Sequence, residues 1–171
     1  MRSSVVALIL LAVTAAGAVA QTPTVSGLTV THVGSYTAVT TSAIAHSGQQ
    51  SPTGTIGTDV NWHFVSDSTD IRGEVGTEFG IEFRVDGTPA GESVTLYLTL
   101  SFPPSGIRNP NTGELMRTAR IAFPNMKIGD LSVLGYGFDN AWEIVPGGWT
   151  MQVWYQDRML VEKSFTIKKA E

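Results

Sequence analysis

The 171 residues contain no cysteine. Disulfide staples, thiolate nucleophiles and cysteine-ligated metals are therefore excluded, and stability has to come from buried apolar surface and backbone pairing. The three histidines, His32, His46 and His63, lack the short paired spacing typical of a zinc site. No metal and no cofactor is expected. Charge is thin as well: 11 basic against 15 acidic residues give a formal net charge of −4 with His neutral. Apart from Lys168 and Lys169 the basic residues are scattered, whereas a surface that tracks phosphates needs them clustered. Nucleic acid is not an expected partner. No Gly-x-Ser-x-Gly elbow occurs, which leaves a serine hydrolase without support. Beyond position 20 there is no apolar run near the ~20 residues a membrane helix needs, so no transmembrane segment is expected there.

What is present begins with an address. Residues 1–20, MRSSVVALILLAVTAAGAVA, set one basic residue before an apolar run from Val5 to Val13 and end in Ala18-Val19-Ala20. This is the pattern of a cleaved signal peptide, with small residues at the −3 and −1 positions. The expected mature chain, residues 21–171, is long enough for one domain that buries about two-thirds of its unfolded surface. Export to the periplasm or the extracellular space follows from the same pattern.

Period-two alternation dominates the remainder. In ESVTLYLTLSF, residues Val94, Leu96, Leu98, Leu100 and Phe102 fall on one face, with Ser93, Thr95, Tyr97, Thr99 and Ser101 on the other. A strand with one buried side reads this way. Phe79, Ile81, Phe83 and Val85 repeat the rhythm, as do Trp149, Met151, Val153 and Tyr155. Weaker strands are expected in GLTVTHVGSYTAV, DVNWHFVS, RTARIAF, LSVLGYGF and RMLVEKSFTI. Turn chemistry separates them at Asp86-Gly87, Pro89-Ala90-Gly91, Asn109-Pro110-Asn111, Gly129-Asp130 and Pro146-Gly147-Gly148. The pattern predicts an all-β fold, an antiparallel sandwich of about eight strands with little helix. The Ser/Thr/Gly-rich segment 40–57 is expected to be a mobile loop.

Four groups of residues bear on function. Asp139 and Glu143, four residues apart in a loop-like segment, are a candidate acid–base pair for a glycosidase; the competing reading has Asp139 cap the turn and Glu143 pair with a nearby base or backbone amide. Trp142 and Trp149 flank the same turn, where a tryptophan can stack on a sugar or a ligand ring; Trp149 belongs to the inward set, which leaves Trp142 as the candidate ligand contact. Tyr97 and Trp154 each interrupt an otherwise polar face, and if their strands are neighbours they form a polar–aromatic platform suited to glycan or peptide. The segment 101–117, SFPPSGIRNPNTGELMR, is a long loop whose Arg108, Asn109 and Asn111 are candidate ligand contacts.

The series Phe79-Gly80, Phe102-Pro103-Pro104, Gly106, Asn109-Pro110, Gly113, Tyr136, Phe138-Asp139, Trp142-Glu143, Pro146-Gly147, Trp149, Trp154-Tyr155-Gln156 and Phe165 resembles a family of exported bacterial proteins built around a domain of unknown function. The likeness runs over roughly residues 25–168 and is most specific from Tyr136 to Phe165. It implies a bacterial periplasmic or cell-surface protein with a single β-rich domain, and it carries over no catalytic or binding residue. The closing hairpin also resembles the last strands of immunoglobulin-like domains. The expectation is a non-enzymatic binding module of the cell envelope with a protein or glycan ligand. Its alternatives are a carbohydrate-active enzyme using Asp139 and Glu143, and a structural or chaperone-like protein that adds a partner strand to an open sheet edge.

Overall fold

The computed structural model describes residues 21–45 and 51–170, with backbone alone at 40–45 and 58–60. The signal peptide expected at 1–20 lies outside the described residues. Eleven strands are described: β1 (Thr24–Ala45), β2 (Thr55–Ser66), β3 (Asp70–Gly73), β4 (Glu78–Thr88), β5 (Ser93–Ser101), β6 (Ile107–Arg108), β7 (Leu115–Met116), β8 (Thr118–Lys127), β9 (Leu131–Gly137), β10 (Gly147–Tyr155) and β11 (Arg158–Lys169). A single 3₁₀ turn, Ala141–Glu143, is the helical structure among them.

Two sheets carry the fold. One has the order β2-β1-β4-β9, the other β3-β11-β10-β5-β8, and β6 and β7 form a small separate ladder. All pairings are antiparallel except that of β3 with β11. The inward faces are those the alternation predicts. Phe79, Ile81, Phe83 and Val85 from β4 meet Leu96, Leu98 and Leu100 from β5 and Trp149, Met151 and Val153 from β10, all fully buried. Apolar side chains at every second position can leave water only if the two sheets stack face to face, which makes the sandwich the low-energy solution. The aromatic centre is tight: Trp149 has the rings of Phe102, Tyr136, Phe79 and Phe138 at centroid distances of 4.7, 5.3, 5.7 and 5.7 Å.

The loop expected at 40–57 is corrected at its two ends, where residues 40–45 and 55–57 are strand. β1 pairs with β4 only as far as Tyr36 opposite Glu78, then runs on to Ala45 paired with β2, from Thr40 opposite Val60 to Ala45 opposite Thr55. The hydroxyl-rich composition that suggests a loop is also rich in threonine and isoleucine, which favour extended backbone once a partner strand is available. The resulting arm is anchored on its return: Ser51 and Ile56 are buried, and the Asn109 amide donates to the carbonyl of Pro52 at 3.0 Å. Residues 46–50 lie outside the described residues.

Candidate functional site

The outer face of the five-stranded sheet is built by cross-strand registry. β5 lies between β8 and β10, and β10 between β5 and β11, so three rows of side chains cross four strands. One row is Ala122, Tyr97, Trp154 and Met159; the next is Arg120, Thr99, Gln152 and Glu162; the third is Thr118, Ser101, Thr150 and Ser164. Directly opposed residues of an antiparallel ladder share a face about 5 Å apart. Tyr97 and Trp154 are therefore immediate neighbours, each partly exposed. The Arg120 guanidinium lies 4.7 Å from the Tyr97 ring centroid and 5.6 Å from that of Trp154, a cation–π arrangement that links all three groups. The Trp154 indole donates to Gln152 Oε1 at 3.1 Å, and Gln152 in turn donates to Glu162 at 2.5 Å. Arg120 was not singled out by sequence. Its register with Thr99, one row from Tyr97, is a property of strand pairing that spacing along the chain does not carry.

The turn from Phe138 to Trp149 is organised around a different purpose. Glu143 is 0% exposed. Its Oε1 accepts the Asn140 backbone N–H at 2.7 Å and the Asn140 side-chain amide at 2.8 Å, while its Oε2 accepts the Tyr136 hydroxyl at 2.5 Å. A carboxylate reaching back to an amide three residues earlier closes the start of a helical turn. Burial pushes its carboxyl above the ordinary value of 4.5, and the three donors pull the other way. Burial likewise holds the Tyr136 phenol far above its usual range, reinforced by the neighbouring Glu143 charge. Trp142 is half-buried against the core, and the Trp149 indole donates to the Val145 carbonyl at 2.9 Å.

Asp139 and Glu143 do line a common cavity of about 280 Å³, together with Tyr36, Tyr136 and Glu78. Glu78, absent from the sequence-derived set, has its carboxyl raised by burial and by the charge of Asp139, against a hydrogen bond from the Ala38 backbone. Its only sequence signal is its outward phase on β4, shared with Glu82. That second glutamate is 9% exposed and accepts the Thr31 hydroxyl at 2.6 Å and the Trp62 indole at 2.7 Å. Outward phase on β4 therefore does not mean solvation, because β1 and β2 side chains cover it.

In the 101–117 loop, Asn109 is fully engaged. Its Oδ1 accepts the backbone N–H groups of Asn111 at 2.9 Å and Thr112 at 3.4 Å, and its amide holds Pro52. Arg108 donates to the Gly113 carbonyl at 2.8 Å. Both shape the loop, while Asn111 is left exposed. This loop and the 139–148 turn abut at their bases, where a Cβ on Gly147 would sit 3.2 Å from Pro103 Cγ. At Gly147 the backbone has φ of 128°, a conformation glycine tolerates.

The sequence profile of a family described as a domain of unknown function (DUF3859) matches residues 37–167, and the chain belongs to that family. No curated protein matches the chain. Among solved structures, the chain is similar to an immunoglobulin-like protein from Pseudomonas aeruginosa, with 20% identity, a TM-score of 0.54, and coverage of 86% of this chain and 98% of that one. At that identity the likeness shows the immunoglobulin-like fold and nothing further.

Proposed function

We propose that this DUF3859 domain is an exported, non-enzymatic interaction module of the cell envelope, and that it binds through the outer face of its five-stranded sheet. The observation that carries the reading is the direct registry of Trp154 with Tyr97 beneath Arg120. Partly exposed aromatics held rigid by neighbours offer contact area at low entropic cost. Export is supported by the pattern of residues 1–20. The enzymatic alternative has less support: Glu143 borders the cavity it shares with Asp139, yet it is 0% exposed and both its oxygens already accept hydrogen bonds, whereas a glycosidase needs two carboxyl groups that reach a sugar.

The test is capture from a native envelope extract by the wild-type protein and by Trp154→Ala. Loss of the captured material at an unchanged melting temperature supports the reading. Undiminished capture by the variant would remove this face from consideration.

A further inference from the structure

We infer that the ligand of this face is a carboxylated glycan, its sugar ring stacked on Trp154 and Tyr97 and its carboxylate paired with Arg120. The inference rests on the binding face proposed above and adds the class of ligand.

Three observations lead there. First, β5 and β10 are interior strands whose backbones are paired on both sides. A peptide joining by strand addition needs an open edge, so this face recognises by side chains and ring stacking. Second, the aromatic pair is bordered on one side by two rows rich in hydroxyl and amide groups: Thr99 and Gln152, then Thr118, Ser101, Thr150 and Ser164. Four strands at about 4.8 Å spacing make that surface roughly 14 Å wide. A pyranose presents an apolar C–H face to stack and a rim of hydroxyls to bond, which matches an aromatic row beside polar rows.

Third, Arg120 has spare valence. The ion pairs among the described residues are His32–Asp67, Arg72–Glu74 and Lys168–Asp70, and none involves Arg120. Its hydrogen bond is a long one, 3.4 Å to the Thr99 hydroxyl. A planar guanidinium stacked on aromatics keeps its N–H fork free at the edge, suited to bidentate pairing with a carboxylate. Arg120 also lines a groove with Arg117, Thr118 and Thr99, in which Glu114 is the one acid. That groove carries two positive charges against one negative. Glu162 stands at the far end of the Arg120 row and is engaged by Gln152.

The experiment is calorimetric titration of the purified whole protein with hexamers of galacturonate and of mannuronate, each beside its carboxyl-reduced counterpart. The expected result is saturable binding of at least one uronate, about tenfold tighter than its neutral counterpart at low salt. Arg120→Gln should abolish that preference, and Arg120→Lys should restore part of it. Trp154→Ala should remove binding of both forms. Equal affinity for charged and neutral hexamers, or a preference that survives Arg120→Gln, overturns the inference. Absence of binding to every hexamer also overturns it. If Trp154→Ala still abolishes capture from envelope extract in that case, the interaction face stands and its ligand is of another class.

Discussion

Trp149 and Trp154 lie five residues apart on one strand and do opposite things. Trp149 is 0% exposed, ringed by four aromatics and bonded through its indole to a backbone carbonyl. Trp154 lies on the other face, partly exposed, beside Tyr97 and under Arg120. An odd number of residues along a strand reverses the face, so identical side chains serve core packing on one side and a presented surface on the other. The two carboxylates of the 139–143 turn divide similarly. Glu143 closes the turn from within, and Asp139 is exposed at its rim.

The largest expected effect comes from breaking the inner member. Trp149→Ala should cost about 3–5 kcal/mol, the range for deleting a buried aromatic, read as a drop in the urea midpoint. Removing the carboxylate that ties the turn comes next. Glu143→Ala leaves the Tyr136 hydroxyl and the Asn140 amide without their acceptor, a loss of about 1–3 kcal/mol; a midpoint equal to wild type would show that water replaces the carboxylate at no cost.

The pH dependence sharpens the same point. Burial raises the carboxyls of Glu143 and Glu78 above 4.5, so the folded chain binds these protons more tightly than the unfolded one. Their contribution is most favourable below the ordinary carboxylate value and declines as pH rises through the raised folded values. His32, raised through its hydrogen bond to Asp67, loses stabilisation in the same direction at higher pH. Glu143→Gln should therefore flatten, without abolishing, the fall in urea midpoint between about pH 4 and 8. An unchanged slope would assign the dependence to Glu78 and His32. The smallest effect on stability is expected outside: Trp154→Ala should lower the unfolding free energy by under about 1 kcal/mol while removing ligand binding. A loss approaching that of Trp149→Ala would mean that Trp154 is a packing residue, and the comparison would collapse.

Much of this was legible from the chain. The alternation in β4, β5 and β10 named the buried set, and Trp149 was assigned to it by phase alone. The platform of Tyr97 and Trp154 was visible as two aromatics on polar faces, conditional on their strands being neighbours. At 40–45 and 55–57 the expected loop is strand, because hydroxyl-rich sequence serves equally as loop or as edge strand and the choice belongs to the partner. Arg120 and Glu78 were missed for a related reason: neither stands in a motif, and each acquires its surroundings from residues more than twenty positions away.

Local sequence by itself determined which residues would alternate, where turns would interrupt them and that a cysteine-free chain must be held by packed sheets, because those properties depend on backbone geometry and side-chain polarity within a few residues. Tertiary structure alone decided which strands became neighbours and in what register. That step set Arg120 over Tyr97 and Trp154 and closed Glu143 behind Tyr136, since the environment of a charge is made by groups that the chain brings together only when it folds.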